Sequence, residues 1–318
     1  METIVLSSRT KLSAAAVATI GCFDGVHRGH QRVIRLVTEV ARRKGLAAMV
    51  ITFDRQPREL FDSSFRPQLL TTLTEKKVCL ETLGVELLVV LPFTRELAAL
   101  SAEAFMREVL HGQLCVQTLL TGYDNRFGHD STEVFDDYVR YGKALGMEVM
   151  QGDVERMDGS VAVSSTIIRR MLTEEGRVEE MPEWLTRPYA ITGRIVAGEH
   201  IGHELGFPTA NLEPESTVKL IPANGVYAVW VQLDGADERM PAMMNIGMRP
   251  TFEGHQRTLE VHVLKEVGDI YGHSLTITFV NRLRAEQRFE NREALMEQLK
   301  QDQIAAEAEL RVKNWEFK

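Results

Sequence analysis

The stretch Ala-Val-Ala-Thr-Ile-Gly-Cys-Phe-Asp-Gly-Val-His-Arg-Gly-His, residues 16–30, is the most informative part of the sequence. It begins with five residues typical of a buried strand and continues into a loop that contains Gly21, Gly25 and Gly29. The apolar spacing of residues 28–44 predicts that a helix follows. Free backbone N–H groups and the helix dipole favour anions at such a helix start, and glycines let phosphates approach the backbone. The stretch therefore predicts a phosphate site between a strand and a helix.

Strand and helix patterns alternate through the first half of the chain, to about Met181. Four short apolar runs are predicted strands: Ala16 to Ile20, Ala48 to Phe53, Leu87 to Leu91 and Thr118 to Thr121. Four stretches with apolar residues at i, i+3 and i+4 are predicted helices: Arg28 to Lys44, Thr74 to Leu83, Ser101 to Leu110 and Glu133 to Leu145. This alternation predicts an α/β domain with a doubly wound parallel sheet, in which ligands bind at the carboxyl ends of the strands.

The apolar period changes to two after Arg187 and Pro188. The predicted strands of this second half include Tyr227 to Leu233, Leu259 to Val263 and Leu275 to Phe279. They predict a small antiparallel β-barrel or sandwich, with a terminal helix from Asn291 packed on it. The segment Glu179 to Pro188, which has two prolines and three acidic residues, is the predicted linker. The predicted fold class is therefore α/β plus β.

Length, charge and cysteine content exclude several classes of protein. A chain of 318 residues suggests about two domains. Its net charge of −8 argues against a nonspecific nucleic-acid binder and against a basic membrane-surface protein. Three cysteines without a CxxC pair argue against a disulfide framework or a zinc knuckle and fit the reducing cytoplasm. We expect a cytoplasmic protein with small-molecule partners, no nucleic acid and no membrane, and a homo-oligomer is left open.

Two segments carry the candidate residues of the first site. His27 and His30 could be a helix-capping pair or a chance metal-like spacing, but the strand–loop–helix context favours a role toward phosphates. The second segment is Val-Ser-Ser-Thr-Ile-Ile-Arg, residues 163–169. It places three hydroxyls at a helix start and Arg169 about one turn along, a set that suits a triphosphate. An ordinary serine cap with a solvated arginine is the alternative.

The candidate residues of the second site lie on predicted strands. The glycine-containing segment 202–211 lacks the Walker pattern, so it is not a P-loop. In an extended chain Thr209 and Asn211 share one face, and their oxygens can hold a Mg²⁺ that also binds phosphates; a simple turn is the alternative. Glu260 and His262 alternate with apolar residues and face a cleft or, in the other interpretation, solvent.

The chain resembles the bacterial bifunctional riboflavin kinase/FAD synthetase family. Gly21–His30 (GCFDGVHRGH) and residues 163–169 resemble its adenylyltransferase signatures, whereas the chain from Gly193 onward, including the PTAN sequence at residues 208–211, resembles its kinase module. The resemblance covers essentially every residue. It implies an FMN adenylyltransferase (FAD synthetase) domain at residues 1–182 and a riboflavin kinase domain at residues 188–318. Riboflavin, FMN and ATP are the implied substrates, with Mg²⁺ for both steps.

The resemblance also implies residue roles. The implied catalytic residues are His27, His30, Arg169 and Glu260. The implied nucleotide-binding residues are Gly21, Phe23, Asp24, Gly25, Gly29, Ser164, Ser165, Thr166, Gly202, Gly206, Phe207 and Pro208. The implied flavin-binding residues are Asp124, Asn125, Phe127 and Arg282, and the implied metal ligands are Thr209 and Asn211. The histidines and Arg169 are expected to act as cations around the ATP phosphates, and Glu260 as the base for the ribityl 5′-hydroxyl.

Four residues depart from the family pattern. Asn125 replaces a common aromatic residue, Arg55 and Gln56 stand where proline and histidine are more frequent, and His203 stands where arginine is common.

Three other functions are alternatives to the one that the resemblance implies. A nucleotidyltransferase with another acceptor, such as pantetheine phosphate or nicotinamide mononucleotide, would not need Thr209, Asn211 and Glu260. A flavin-sensing regulator would not need the histidines and Arg169. An aminoacyl-tRNA synthetase is rejected because no KMSKS-type loop is present.

Overall fold

The computed structural model describes residues 1–123, 126–129, 133–153, 155–157, 161–196, 209–251, 254–265 and 270–312. The chain divides into two compact units, Met1–Ser165 and Thr166–Lys318. We describe each unit by itself.

A six-stranded parallel sheet forms the centre of the first unit. Its strands are β1 (Glu2–Val5), β2 (Ala16–Ile20), β3 (Ala47–Phe53), β4 (Leu87–Leu91), β5 (Val116–Thr121) and β6 (Glu148–Gln151), and a short hairpin follows with β7 (Arg156–Met157) and β8 (Val161–Ala162). The order across the sheet is β1-β4-β3-β2-β5-β6. All carboxyl ends therefore lie at one edge, with β2 between β3 and β5.

Helices cover both faces of this sheet. They are α1 (Arg28–Lys44), α2 (Pro57–Phe61), α3 (Leu73–Thr82), α4 (Arg95–Ala98), α5 (Ala102–Phe105, continued by a π-helical turn, Met106–His111) and α6 (Phe135–Ala144). Ala18 of β2 packs with the α5 and α6 side, whereas Val17 packs against α1. Alternate residues of each strand are thus buried on opposite faces. The predicted doubly wound α/β domain is confirmed.

The second unit begins with helices and continues into a barrel. The helices are α7 (Ser165–Arg170, which starts in the first unit and is continued by a π-helical turn, Met171–Glu175) and α8 (Met181–Leu185). The strands are β9 (Ala190–Val196), β10 (Ala210–Pro214), β11 (Gly225–Leu233), β12 (Arg239–Thr251), β13 (Gly254–Val263) and β14 (Ser274–Arg284). They close in the order β10-β13-β12-β11-β14-β9, with antiparallel pairing throughout. The predicted barrel is confirmed.

The terminal helix α9 (Arg292–Val312) packs on the outside of the barrel. Ala306 and Leu310 supply its apolar contact with the strands. Asp302, which is buried, receives the Arg284 guanidinium at 2.7 and 2.9 Å. An apolar contact and one buried ion pair therefore attach the helix to β14.

Two sequence expectations need correction. The predicted linker, residues 179–188, is mostly helical, because Met181, Trp184 and Leu185 share one helical face and are buried. Ser101 to Leu110 is not one regular helix, since α5 changes to π-helical geometry at Met106. The other predicted helices and strands agree with the structure to within a few residues.

Candidate active sites

The first candidate site is the start of α1. His27 is the N-cap residue, and its Nδ1 accepts the backbone N–H of His30 at 3.3 Å. Since Nδ1 is the acceptor, a neutral His27 carries its ring proton on Nε2 and can donate it to a ligand. The two imidazole rings stack with a centroid separation of 3.6 Å. A Cβ on Gly29 would lie 3.3 Å from the His27 ring, so glycine leaves room for this pair.

The loop before α1 is held in an unusual backbone conformation. Phe23 and Val26 have positive φ angles of 46° and 41°, and Gly25 has one of 82°. Such angles cost non-glycine residues about 1–3 kcal/mol each, so they persist only where tertiary contacts impose them. The buried Asp24 carboxylate accepts the backbone N–H groups of Leu70 and Thr71 at 3.2 and 3.1 Å. Asp24 thus anchors the loop, and its predicted contact with nucleotide stays a prediction.

The charge state of His30 differs from the sequence expectation. Burial lowers the pKa of His30 well below its usual value, and the charges of His27 and Lys76 add to this effect. The Nδ1 atom of His30 is buried and has no hydrogen-bond partner among the residues that the structure describes. A proton on His30 is therefore disfavoured in the free protein, because it would be poorly solvated and close to another positive charge. The role of His30 toward the phosphates stays a prediction.

The residues of the second predicted segment are divided between the units. The Ser165 hydroxyl donates to the Asp24 carbonyl at 2.8 Å, which joins this segment to the loop. Ser164 precedes α7, whereas Thr166 and Arg169 lie in the helix within the second unit. The roles of Ser164, Thr166 and Arg169 toward the nucleotide stay predictions.

An aromatic pocket of about 380 Å³ lies beside this loop, at the carboxyl ends of the parallel strands. Gly21 and Cys22 form part of its wall. Five phenylalanines contribute to the rest of the lining: Phe53, Phe61, Phe93, Phe105 and Phe127. Phe53 and Phe93 meet edge to face at 5.3 Å. The volume falls in the range of roughly 300–1,000 Å³ typical of small-molecule sites, and aromatic walls suit a flat conjugated ring.

The predicted flavin-binding residues of the first unit have different outcomes. Phe127 lines the aromatic pocket and stacks on Tyr138 at 4.4 Å. Asp124 and Asn125 lie outside the described residues. Arg55 pairs with Asp54 at 3.4 Å, and the Gln56 N–H donates to Glu59 at 2.6 Å at the start of α2. The two departures in this segment therefore take part in local structure next to the pocket.

The second candidate site lies on the barrel. Asn211 of β10 is directly opposite Glu260 of β13, which is in turn opposite Asn245 of β12. Opposite residues of antiparallel strands project from the same face. The neighbours of Glu260, Leu259 and Val261, are buried, so Glu260 points away from the barrel interior and is itself half-buried. Three polar side chains thus form a row across three strands.

Thr209, the second candidate metal ligand, immediately precedes β10. It is two residues before Asn211 and half-buried. The predicted nucleotide-binding residues Gly202, Gly206, Phe207 and Pro208 lie outside the described residues, as does His203. The strand register therefore places Asn211, one of the two candidate metal ligands, opposite the candidate base Glu260.

Arg282 makes structural contacts. Its guanidinium donates to the backbone carbonyls of Glu175 and Asn224 at 2.9 and 2.6 Å. A Cβ on Gly176 would lie 2.7 Å from the Arg282 side chain, so that glycine is needed for the close approach. The predicted flavin contact of Arg282 stays a prediction.

Several site residues were not identified from the sequence. Phe53 and Phe93 could have been identified from their position at the ends of predicted strands. Lys76 could not, because a lysine in an amphipathic helix has no distinctive pattern. Its ammonium donates a hydrogen bond to the Cys22 carbonyl in the loop before α1.

Comparison with known proteins identifies the family. A riboflavin kinase family model matches residues 185–310, and an FAD synthetase model matches residues 9–167. The bifunctional riboflavin kinase/FMN adenylyltransferase of Escherichia coli K12 is 37% identical over 91% of each chain. The Pseudomonas fluorescens enzyme of the same name is 38% identical over 92% of each chain. The chain belongs to the bifunctional riboflavin kinase/FMN adenylyltransferase family.

The fold of the chain is also similar to that of a solved structure. A crystal structure described as a macrolide-efflux protein from Streptococcus pneumoniae has a TM-score of 0.86 and 29% identity, with coverage of 96% of this chain and 98% of that one. In the present chain, no helix within the described ranges is both long and apolar enough to cross a membrane.

Proposed function

We propose that the two reactions of the family are divided between residues 1–182, the FMN adenylyltransferase domain, and residues 188–318, the riboflavin kinase domain. The chain phosphorylates riboflavin with ATP to give FMN, and it adenylylates FMN to give FAD and pyrophosphate. The separate ranges of the two family matches support the division. One observation carries the first assignment. Gly21 and Cys22 line the aromatic pocket and also belong to the loop between β2 and α1 that contains His27.

Adenylyl transfer needs positioning more than a strong base. An oxygen of the FMN phosphate, already ionised near neutral pH, attacks the α-phosphorus of ATP, and the bond from that phosphorus to the pyrophosphate oxygen breaks. The difficulty is to bring two polyanions together. We assign the flavin ring to the aromatic pocket, so that its phosphate extends past Cys22 toward the start of α1.

The two histidines serve as phosphate donors in this proposal. His27 is assigned a hydrogen bond to the phosphates in addition to its cap bond with the His30 backbone. Burial lowers the pKa of His30 in the free protein, and the negative charge of bound phosphates raises that pKa and favours a proton there. Gly25, Gly29, Ser164 and Ser165 are assigned to the same nucleotide.

Phosphoryl transfer on the barrel needs a base. The ribityl 5′-hydroxyl attacks the γ-phosphorus of ATP, its proton passes to the Glu260 carboxylate, and ADP leaves. Glu260 projects outward on β13 between Asn211 and Asn245, where a substrate can reach it. Strand residues hold this base at a fixed distance from its neighbours.

Mg²⁺ is the cation that we propose for the barrel site. The Asn211 side chain offers a neutral oxygen on the residue opposite Glu260, and Thr209 offers a second one two residues earlier in the chain. Oxygen donors are what this hard cation prefers. These residues fit the ion and would hold it. Bound there, it would neutralise charge on the phosphates. The three free cysteines support the further proposal of a cytoplasmic location.

A time course with the full chain tests the division. Purified protein is incubated with ATP, Mg²⁺ and either riboflavin or FMN, and the flavins are separated by chromatography. We expect FMN and then FAD from riboflavin, and FAD directly from FMN. FMN accumulation without FAD from either start would contradict the assignment of the first unit.

A further inference from the structure

Lys76 of α3 is a buried lysine that the mechanism above does not use. It is 8% exposed. Its ammonium donates to the Cys22 carbonyl at 2.6 Å and to the Thr52 hydroxyl at 3.2 Å, and that hydroxyl donates to the same carbonyl at 3.2 Å. Burying an ammonium is unfavourable unless its donors are satisfied, so a lysine at this position is not explained by apolar packing.

Residues shortly before Lys76 in the chain form further hydrogen bonds with the loop. Leu70 and Thr71 donate backbone N–H groups to the Asp24 carboxylate, and the Gly25 N–H donates to the Thr71 hydroxyl at 2.9 Å. These bonds all reach the loop from the α3 side. Lys76 adds the contact at Cys22, where the loop leaves β2 and also forms the wall of the aromatic pocket.

We propose that Lys76 is a positioning residue for adenylyl transfer, whose buried ammonium joins the Cys22 carbonyl to the end of β3 and so sets the relative position of the aromatic pocket and the two histidines. The inference rests on the proposed function of the first unit. It assigns no contact with substrate to Lys76. An error of about 1 Å in the placement of reacting groups can reduce a rate on the order of 100-fold.

The charge of Lys76 also acts on His30. The groups that face His30 are the stacked His27 ring, the edge of Phe23 and the Lys76 ammonium. Those that face Lys76 are the Asp24 carboxylate and the Cys22 thiol. Burial lowers the pKa of Lys76, and the two neighbours oppose that change. Because Lys76 helps to keep the pKa of His30 low, removing its charge raises that pKa toward the usual value.

Three substitutions at Lys76 and one control test the proposal in the full chain. Lys76→Met and Lys76→Gln remove the charge, and Lys76→Arg keeps it. Lys77→Met removes a charge from the same helix next to the site. For each protein we measure kcat and KM for FAD formation from FMN, riboflavin phosphorylation, and the His30 titration by NMR of the free protein.

We expect both uncharged variants to lower kcat for FAD formation about tenfold or more, with riboflavin phosphorylation unchanged and the His30 pKa raised. Lys76→Arg should keep the low His30 pKa, and Lys77→Met should match the parent protein. If Lys76→Met loses phosphorylation as well, the Gln variant is interpreted alone. A parent-like kcat in a folded uncharged variant overturns the proposal. Failure of the parent protein to form FAD would instead overturn the proposed function.

Discussion

The two candidate sites are built in different ways. In the barrel, Asn211, Glu260 and Asn245 are neighbours because antiparallel register places them opposite one another. In the first unit, His27 and His30 depend on a loop with positive φ angles that is held by residues about 50 positions further along the chain. Strand residues are positioned by local pairing, whereas the loop is positioned by tertiary contacts.

This difference corresponds to the chemistry that we assign to each site. A hydroxyl nucleophile needs a base, and a rigid strand holds one carboxylate beside the metal ligands. A phosphate nucleophile needs no strong base, and the loop instead presents hydrogen-bond donors at a helix start beside the aromatic pocket. Substitutions that affect one reaction and spare the other test the comparison.

The largest effect is expected for Glu260→Ala. Loss of the proposed base should reduce FMN formation from riboflavin by about 10²–10⁴-fold, with FAD formation from supplied FMN unchanged. The measurement is the initial rate of each reaction. Glu213→Ala, an exposed glutamate on the neighbouring strand β10, is the control. Equal loss of both activities would contradict two separate sites.

His30→Ala should produce the converse result. Removing one donor to the phosphates should lower FAD formation from FMN by about 10²–10³-fold, while riboflavin phosphorylation continues. The exposed His111 in the same unit supplies the control, His111→Ala. Unchanged FAD formation would remove His30 from the site.

Asp302→Ala tests how much the ion pair between Arg284 and Asp302 stabilises the packing of α9 on the barrel. It leaves the Arg284 guanidinium, whose side chain is 18% exposed, without its buried partner. We expect the free energy of unfolding of the barrel unit to fall by about 3 kcal/mol, measured by chemical denaturation. Glu297→Ala removes an exposed carboxylate from the same helix as the control. An equal loss in both variants would mean that the ion pair adds nothing.

The smallest effect is expected for Phe93→Ala. Removing one wall of the aromatic pocket should raise KM for FMN about tenfold, with KM for riboflavin in the kinase reaction unchanged. Phe65→Ala is the control, since that ring packs against Arg58. If the flavin ring binds elsewhere, both variants will have the parent KM.

Much of the fold could be predicted from the sequence because it depends on local periodicity. β2, α1 and β4 have the predicted bounds, since a buried strand and an amphipathic helix each repeat at their own period. The edge strand β1 was not predicted, because Glu2–Val5 is short and only partly buried. Residues 179–188 were expected to be a linker but are mostly helical, because Met181, Trp184 and Leu185 form a buried helical face.

The sequence alone determined the family resemblance, the two-part architecture and most candidate residues, because motifs such as GCFDGVHRGH and the alternation around Glu260 are local in the chain. Only the tertiary structure showed the aromatic pocket, the burial that lowers the pKa of His30, and the buried ammonium of Lys76 that contacts the Cys22 carbonyl. These features arise where distant segments meet, and burial and charge at such places depend on groups that no local pattern brings together.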